Sequence, residues 1–306
     1  MLFDRDVSLV IGQSGGKGVE VAGLRIDFSI EKTSTETLNN STLEICNLSP
    51  DTQKLIETPN NVVIVKLGYK QDVGGKTAFV GIVRRSLTVR SGADWVTKLE
   101  LDDGLIAYRD SKRTFSFPAG ASGVGVLRSV AASFGLSVRQ FPADIADKVY
   151  PGGFSFVGRS REAMAKVCSY LGLEWSIQNQ EIQVLKKGGV MQRTAVVLSE
   201  DTGLIGSPAL EAKTLSDKAA AKQGITVNTA GVIQRRKATT DGDIETKLEV
   251  QGYKVVSLLQ PTIEPGSVVQ VKSKGIDGTF FRVESVTHSG SNFGGDFTST
   301  LTLRFI

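Results

Sequence analysis

This 306-residue chain holds one histidine, His288, and two cysteines, Cys46 and Cys168, the side chains that most often ligate zinc or serve as base and nucleophile. His288 sits in SVTHSGSN with no second histidine or cysteine nearby, so neither a zinc set nor a Ser/His/Asp triad is spelled out. It reads as a polar residue at a strand end. The cysteines lie far apart, each in an apolar periodic segment, and read as buried free thiols of a chain that folds in a reducing cytoplasm. Two glycine-rich runs look like phosphate loops. GASGVG at 120–125 lacks the lysine-serine ending, and GQSGGKG at 12–18 leads from one strand into another, so neither would aim a cradle of helix N–H groups at a phosphate. Both read as turns. Asp102, Asp103 and Glu174 are carboxylates that a fold could bring together as acid and base, but their spacing does not require it.

Charge adds little. The 36 basic and 32 acidic residues are interspersed and leave a net +4, too small an excess to argue for nucleic acid. Arg84 and Arg85 fall on adjacent strand positions and are expected on opposite faces, which makes no phosphate-binding stripe. Arg235, Arg236 and Lys237 lie in a polar stretch and read as a solvated charge run or as a partner-contact arm. No catalytic, cofactor-binding or metal-ligating residue is therefore assigned, and the chain reads as a non-enzyme. It opens without a signal-peptide pattern and has no apolar run long enough to span a bilayer, so it is expected to be soluble, unprocessed and without stable membrane insertion.

The elements that carry these residues show an internal repeat. GADWVTKLEL at 92–101 is answered by GGDFTSTLTL at 294–303, VVIVK at 62–66 by VVQVK at 268–272, and Phe79 by Phe281. Trp95, Leu99 and Leu101 share one face of a strand, and Phe297, Leu301 and Leu303 share one face of its counterpart, so these six are the expected core of the repeat. The Gly-x-Asp lead-ins suit hairpin turns. VSLVIG at 7–12, LRIDFSI at 24–30 and STLEICNL at 41–48 alternate as strands, and a short helix capped near Ser49 or Asp51 follows. Residues 1–105 read as one β-sandwich or barrel and 191–306 as a second.

Between them, 106–190 read as a small α+β domain. Val126, Leu127, Val130, Ala131 and Phe134 stand at helical spacing after Ser122, and Met164, Val167, Cys168 and Leu171 do so after Ser160, each run closed by glycine. EWSIQNQEIQVL reads as a hairpin turning at Asn179-Gln180. Residues 213–250 are polar, with one apolar patch, and read as a linker, a long hairpin or an exposed arm.

TGLIGSP at 202–208, LGLEWSIQNQEIQVL, and SLLQPTIEPGSVVQVKS followed by FFRVESVTHSGSNFGGDFTSTL together resemble, over most of the chain, the tail hub proteins of contractile-tail bacteriophage baseplates. That resemblance implies two β-barrel domains like tail-tube subunits in one polypeptide, three copies of which form a ring with six tube-like positions. It implies a homotrimer that joins the tail tube, or a tube-initiator protein, to the central spike, contacts baseplate wedge proteins, and leaves DNA free to pass without specific binding. It also implies no cofactor, assembly in the host cytoplasm and residence in the virion baseplate. The 213–250 stretch departs from the family pattern, where less sequence separates the GSP and LLQP motifs, so no family role is carried onto it. No lysozyme-like appendage is visible. The alternatives are the hub of a tailocin-like contractile injection system and a cell-wall hydrolase whose carboxylates converge only in the fold.

Overall fold

Alternation of apolar and polar residues sets the strands. In Ile26–Thr33, IDFSIEKT, the residues Ile26, Phe28, Ile30 and Lys32 point inward and are buried, and in Phe297–Phe305, FTSTLTLRF, so do Phe297, Ser299, Leu301 and Leu303. The computed structural model describes residues 4–13, 15–58, 60–71, 74–191, 195–212, 225–227, 233–235 and 250–306. In it the chain is mainly β, two tube-like antiparallel repeats flanking a small α+β domain, and the two repeats share one 13-stranded sheet.

The repeats have the same strand order. In the first, Ile26–Thr33 is followed across the sheet by Asn40–Cys46, Asp94–Asp102, Lys76–Ser91, Val62–Tyr69 and Arg5–Gly12. In the second, Leu204–Ala212 is followed by Val250–Leu258, Phe297–Phe305, Ile276–Ser291, Val268–Ser273 and Val196–Leu198. Both long hairpins pair a 16-residue strand with a 9-residue one. Each carries a bulge at the same place: pairing steps from Val83 opposite Leu101 to Arg85 opposite Glu100, and from Val283 opposite Leu303 to Ser285 opposite Thr302. Arg84 and Glu284 are the extra residues, and the register then brings Trp95 opposite Arg90 and Phe297 opposite Gly290. Trp95 and Phe297 therefore occupy equivalent positions.

Among the described residues three differences separate the copies, the first being a short extra strand, Val19–Val21, that pairs with Arg5–Gly12 at the edge of the first repeat alone. Arg5–Gly12 runs antiparallel to its neighbour, whereas Val196–Leu198 runs parallel to its own. The first repeat inserts the helix Pro50–Glu57, begun by Ser49, whose hydroxyl accepts from the Thr52 N–H at 3.2 Å, and by a proline in the first turn. The second repeat passes through turns at 259–267 instead.

The middle domain packs the helices Gly123–Ala132 and Ser160–Leu171 against the hairpin of Leu173–Gln178 and Glu181–Lys186. Ser122 caps the first helix, and Gly172, at φ +71°, closes the second in the left-handed conformation that glycine adopts without strain. Ser160 is the first helical residue and not the cap expected for it. Arg159 takes the cap position, and the Ser160 hydroxyl instead accepts from Ser133 across the helix pair. Asn179 and Gln180 both have positive φ, as a two-residue hairpin turn requires.

Candidate functional site

With no constellation for chemistry among the described residues, the informative sites are the strand edges. On the side away from Phe297–Phe305, the long strand Ile276–Ser291 runs past the end of its own repeat. Its first half pairs with Val268–Ser273, and its second half, 285–291, pairs antiparallel with Ile26–Thr33 of the first repeat. This seam joins the two repeats within the chain. His288 faces Ile30 there, both fully buried, and His288 Nδ1 meets the Ser299 hydroxyl at 2.8 Å. The histidine is thus an interior seam residue and not the polar strand-end residue read from sequence, because the strand continues past it. Burial, and then the Lys32 charge, push its pKa down to about 3, so the ring is neutral.

Phe297 is the plug of the seam. Its ring leaves its own repeat and meets Phe28 and Tyr69 of the first repeat edge-on at 5.6 and 5.3 Å, with the Arg5 guanidinium 5.0 Å from the ring centre. Arg5 donates to the carbonyls of Ser291 and Gly295 at 2.6 and 2.5 Å. Asn292 closes the same end, accepting from the Ile26 N–H at 2.9 Å and donating to the Leu24 carbonyl at 2.7 Å.

At the other end of the seam the middle domain is tied to both repeats. Lys32 Nζ, on the first repeat, donates to Asn179 Oδ1 at 3.0 Å and lies 3.5 Å from Glu264 of the second repeat. Asn179 donates to Glu264 at 2.8 Å, and Arg139 bridges Glu264 and Glu181. Asp103 accepts the turn N–H groups of Asn179 and Gln180 at 2.6 and 2.7 Å, and burial raises its pKa to about 6. Lys32 is held below its ordinary pKa by burial, against the pull of Glu264. Lys32, Glu264 and Asp103 are buried and hydrogen-bonded, with Arg139 half-buried between Glu264 and the more exposed Glu181, an arrangement that fixes orientation more than it adds net stability.

The counterparts of both seam edges are open. Residues 83–91 pair on one side only, with Asp94–Asp102, and Leu204–Ala212 ends the sheet, each without a second partner strand among the described residues. Large apolar side chains stand out there: Trp95 is 51% exposed, Leu87 45%, Leu210 58% and Ile205 43%.

Leu99, Leu101, Leu301, Leu303 and Phe297 are buried. Trp95 is not the core residue that strand parity suggested. Its equivalent Phe297 is covered by the first repeat, and no segment of the described chain covers Trp95 in the same way. Arg84 and Arg85 do not act from opposite faces either; the bulge sets both against Glu100, at 2.8 and 3.8 Å. Asp102 pairs with Arg84, Asp103 binds the hairpin turn, and Glu174 pairs with Arg282, so the three carboxylates are each committed elsewhere. Among the described residues no three His, Cys, Asp or Glu side chains gather as a metal site, and no helix is long and apolar enough to cross a membrane. Arg235 ends the short strand Ile233–Arg235, while Arg236 and Lys237 lie outside the described residues. Arg5, Phe28, Tyr69, Lys32 and Glu264 were not legible as site residues, since they come from distant segments.

Two copies of a tube-like β fold, fused edge to edge and braced by an α+β domain, define the class: a duplicated tail-tube-like protein. Known structures share this fold across nearly the whole chain. The 43 kDa tail protein of prophage MuSo2 from Shewanella oneidensis matches with a TM-score of 0.63 at 11% identity, covering 98% of this chain and 98% of that one. A tail protein from Neisseria meningitidis MC58 matches at 0.61 and 13%, covering 99% and 97%. A type VI secretion component of E. coli, described as structurally similar to T4 bacteriophage tail proteins gp27 and gp5, matches at 0.55 and 9%, covering 92% and 73%. No protein-family model and no curated protein matches the chain. The fold is that of these phage tail and type VI secretion proteins.

Proposed function

We infer that the chain is a structural baseplate hub of a contractile phage tail, in which three copies form a ring of pseudo-six-fold symmetry that joins the tail tube to the central spike. The observation that carries this reading is the seam. One chain presents two equivalent β repeats side by side, so three chains supply six tube-like positions. The ring faces a tube or tube-initiator protein on one side and the spike on the other, with wedge proteins at its rim, and DNA crosses its lumen without sequence-specific contact. In this reading the chain acts by binding and not by catalysis. A hub in a tailocin-like injection system is the second reading, favoured by the likeness to a type VI secretion component. Native mass spectrometry of the purified full chain tests the ring. Three chain masses are expected, and a chain that stays monomeric at every concentration and is absent from purified tails refutes it.

A further inference from the structure

We propose that the seam inside the chain is the template for the contact between chains: the open edge at 83–91 of one copy pairs antiparallel with the strand Leu204–Ala212 of a second copy, in the register the intrachain seam sets. This deepens the hub reading and rests on it for the closure of the ring.

The register follows from two equivalences. The shared bulge aligns Leu87, Thr88 and Val89 with Thr287, His288 and Ser289. On the other edge, Leu43 pairs with Leu99 as Val255 pairs with Leu301, which aligns Thr42, Ser41 and Asn40 with Lys254, Tyr253 and Gly252. Their outer partners then align Ser29, Ile30 and Glu31 with Ala209, Leu210 and Glu211. Within the chain, Thr287 faces Glu31, His288 faces Ile30 and Ser289 faces Ser29. Between chains, Leu87 therefore faces Glu211, Thr88 faces Leu210 and Val89 faces Ala209.

Exposure points the same way. Leu210 is 58% exposed where Ile30 is 0%, and Trp95 is 51% exposed where Phe297 is 4%. Leu210 and Trp95 thus stand where their equivalents are already covered by the other repeat. Strand edges offer unpaired N–H and C=O groups to any partner, and a head-to-tail contact between two unlike edges leaves neither edge free and closes into a ring when its rotation divides a full turn. Charge is compatible: Arg84 and Arg85, beside Glu100, and Arg90 lie along one edge, and Glu211, which shares Arg304, stands on the other, diagonal to Arg85 in this register. Trp95 then enters the neighbouring second repeat beside the 205–209 segment, as Phe297 enters the first.

Cysteine pairs test the register in the full chain, with Cys46→Ser removing the half-exposed native thiol and the buried Cys168 left in place. Val89→Cys with Ala209→Cys and Thr88→Cys with Leu210→Cys sample the two alternating kinds of antiparallel pair. Val89→Cys with Glu211→Cys, two residues out of register, is the control. Mild oxidation should link the first or second pair between chains into covalent dimers and trimers, several times more than the control, and Trp95 emission should shift to the blue on assembly. Trimers that cross-link in neither pair, or equally in the control, overturn this seam and leave the hub reading standing. A chain that neither associates nor cross-links overturns both.

Discussion

Truncating the two equivalent aromatics should have opposite consequences for the isolated chain. Phe297 is 4% exposed and lies against Phe28, Tyr69 and Arg5, so Phe297→Ala opens a cavity in the seam. A buried Phe→Ala change costs about 3–5 kcal/mol, a range that already includes the ring contacts. For a chain of this size each kcal/mol lowers Tm by about 2 °C, so the transition of the joined repeats should fall by about 6–10 °C. Trp95 is 51% exposed, and Trp95→Ala in dilute monomer should cost less than about 1 kcal/mol. Scanning calorimetry at low concentration measures both, resolving the repeats from the middle domain, which has its own core. In assembly the order should reverse, with Trp95→Ala lowering the trimer fraction while the chain stays folded. Equal losses of Tm in the two variants, or a larger one for Trp95→Ala, would refute the assignment of one seam as closed and the other as open.

Glu264→Ala should cost about 3–5 kcal/mol, because it strands Lys32, which is fully buried, beside Arg139, and the double variant Lys32→Met/Glu264→Leu should recover most of it; a neutral Glu264→Ala in urea unfolding contradicts the network. His288 has a pKa of about 3 in the fold against 6.5 unfolded, so stability should fall as pH drops from about 6.5 toward 3, while Asp103, raised from 3.8 to about 6, offsets part of that loss between those two values. His288→Asn should flatten the fall of Tm with acid, and an unchanged slope sinks the assignment. Leu99→Asp and Leu301→Asp should each prevent folding, since both leucines are buried and an unpaired carboxylate there costs several kcal/mol; native-like solubility and circular dichroism for either would contradict the register. Deleting 216–248, which lies largely outside the described residues, should leave Tm within a few degrees, because that stretch carries too little apolar periodicity to build a core.

The repeat was legible because its signal is local. A glycine-aspartate turn followed by strict alternation marks the same hairpin twice, and the helices of the middle domain announce themselves by Ser122 before and Gly172 after an apolar stripe. The bulge was legible in principle. Buried positions fall at Phe281 and Val283 and then at Val286 and His288, a change of phase that only an extra residue produces. Reading His288 as a strand end missed it, because a 16-residue strand far exceeds the usual 5 or 6. Parity also placed Trp95 on the correct face of its strand but could not say what covers that face. The cover for its twin comes from Phe28 and Tyr69, and no spacing rule links those positions to Phe297.

Fusion of two repeats changes the energetics of the ring. Each intermolecular contact opposes a loss of translational and rotational freedom of about 4–15 kcal/mol, whereas a contact between segments of one chain involves only loop closure. In the proposed ring the seam through His288 and Phe297 is of the second kind, so three of the six contacts form when each chain folds. The remaining three rest on Trp95, Leu210 and the strand edges beside them. The two seams need not be alike, and they are not. Where the closed seam has a neutral, fully buried imidazole at His288, the open edge has Thr88, and where it has Gly290, the open edge has Arg90. A smaller hydroxyl and a charged side chain suit an edge that stands in water until a neighbour arrives, since exposed charge keeps an unpaired strand from joining the wrong partner.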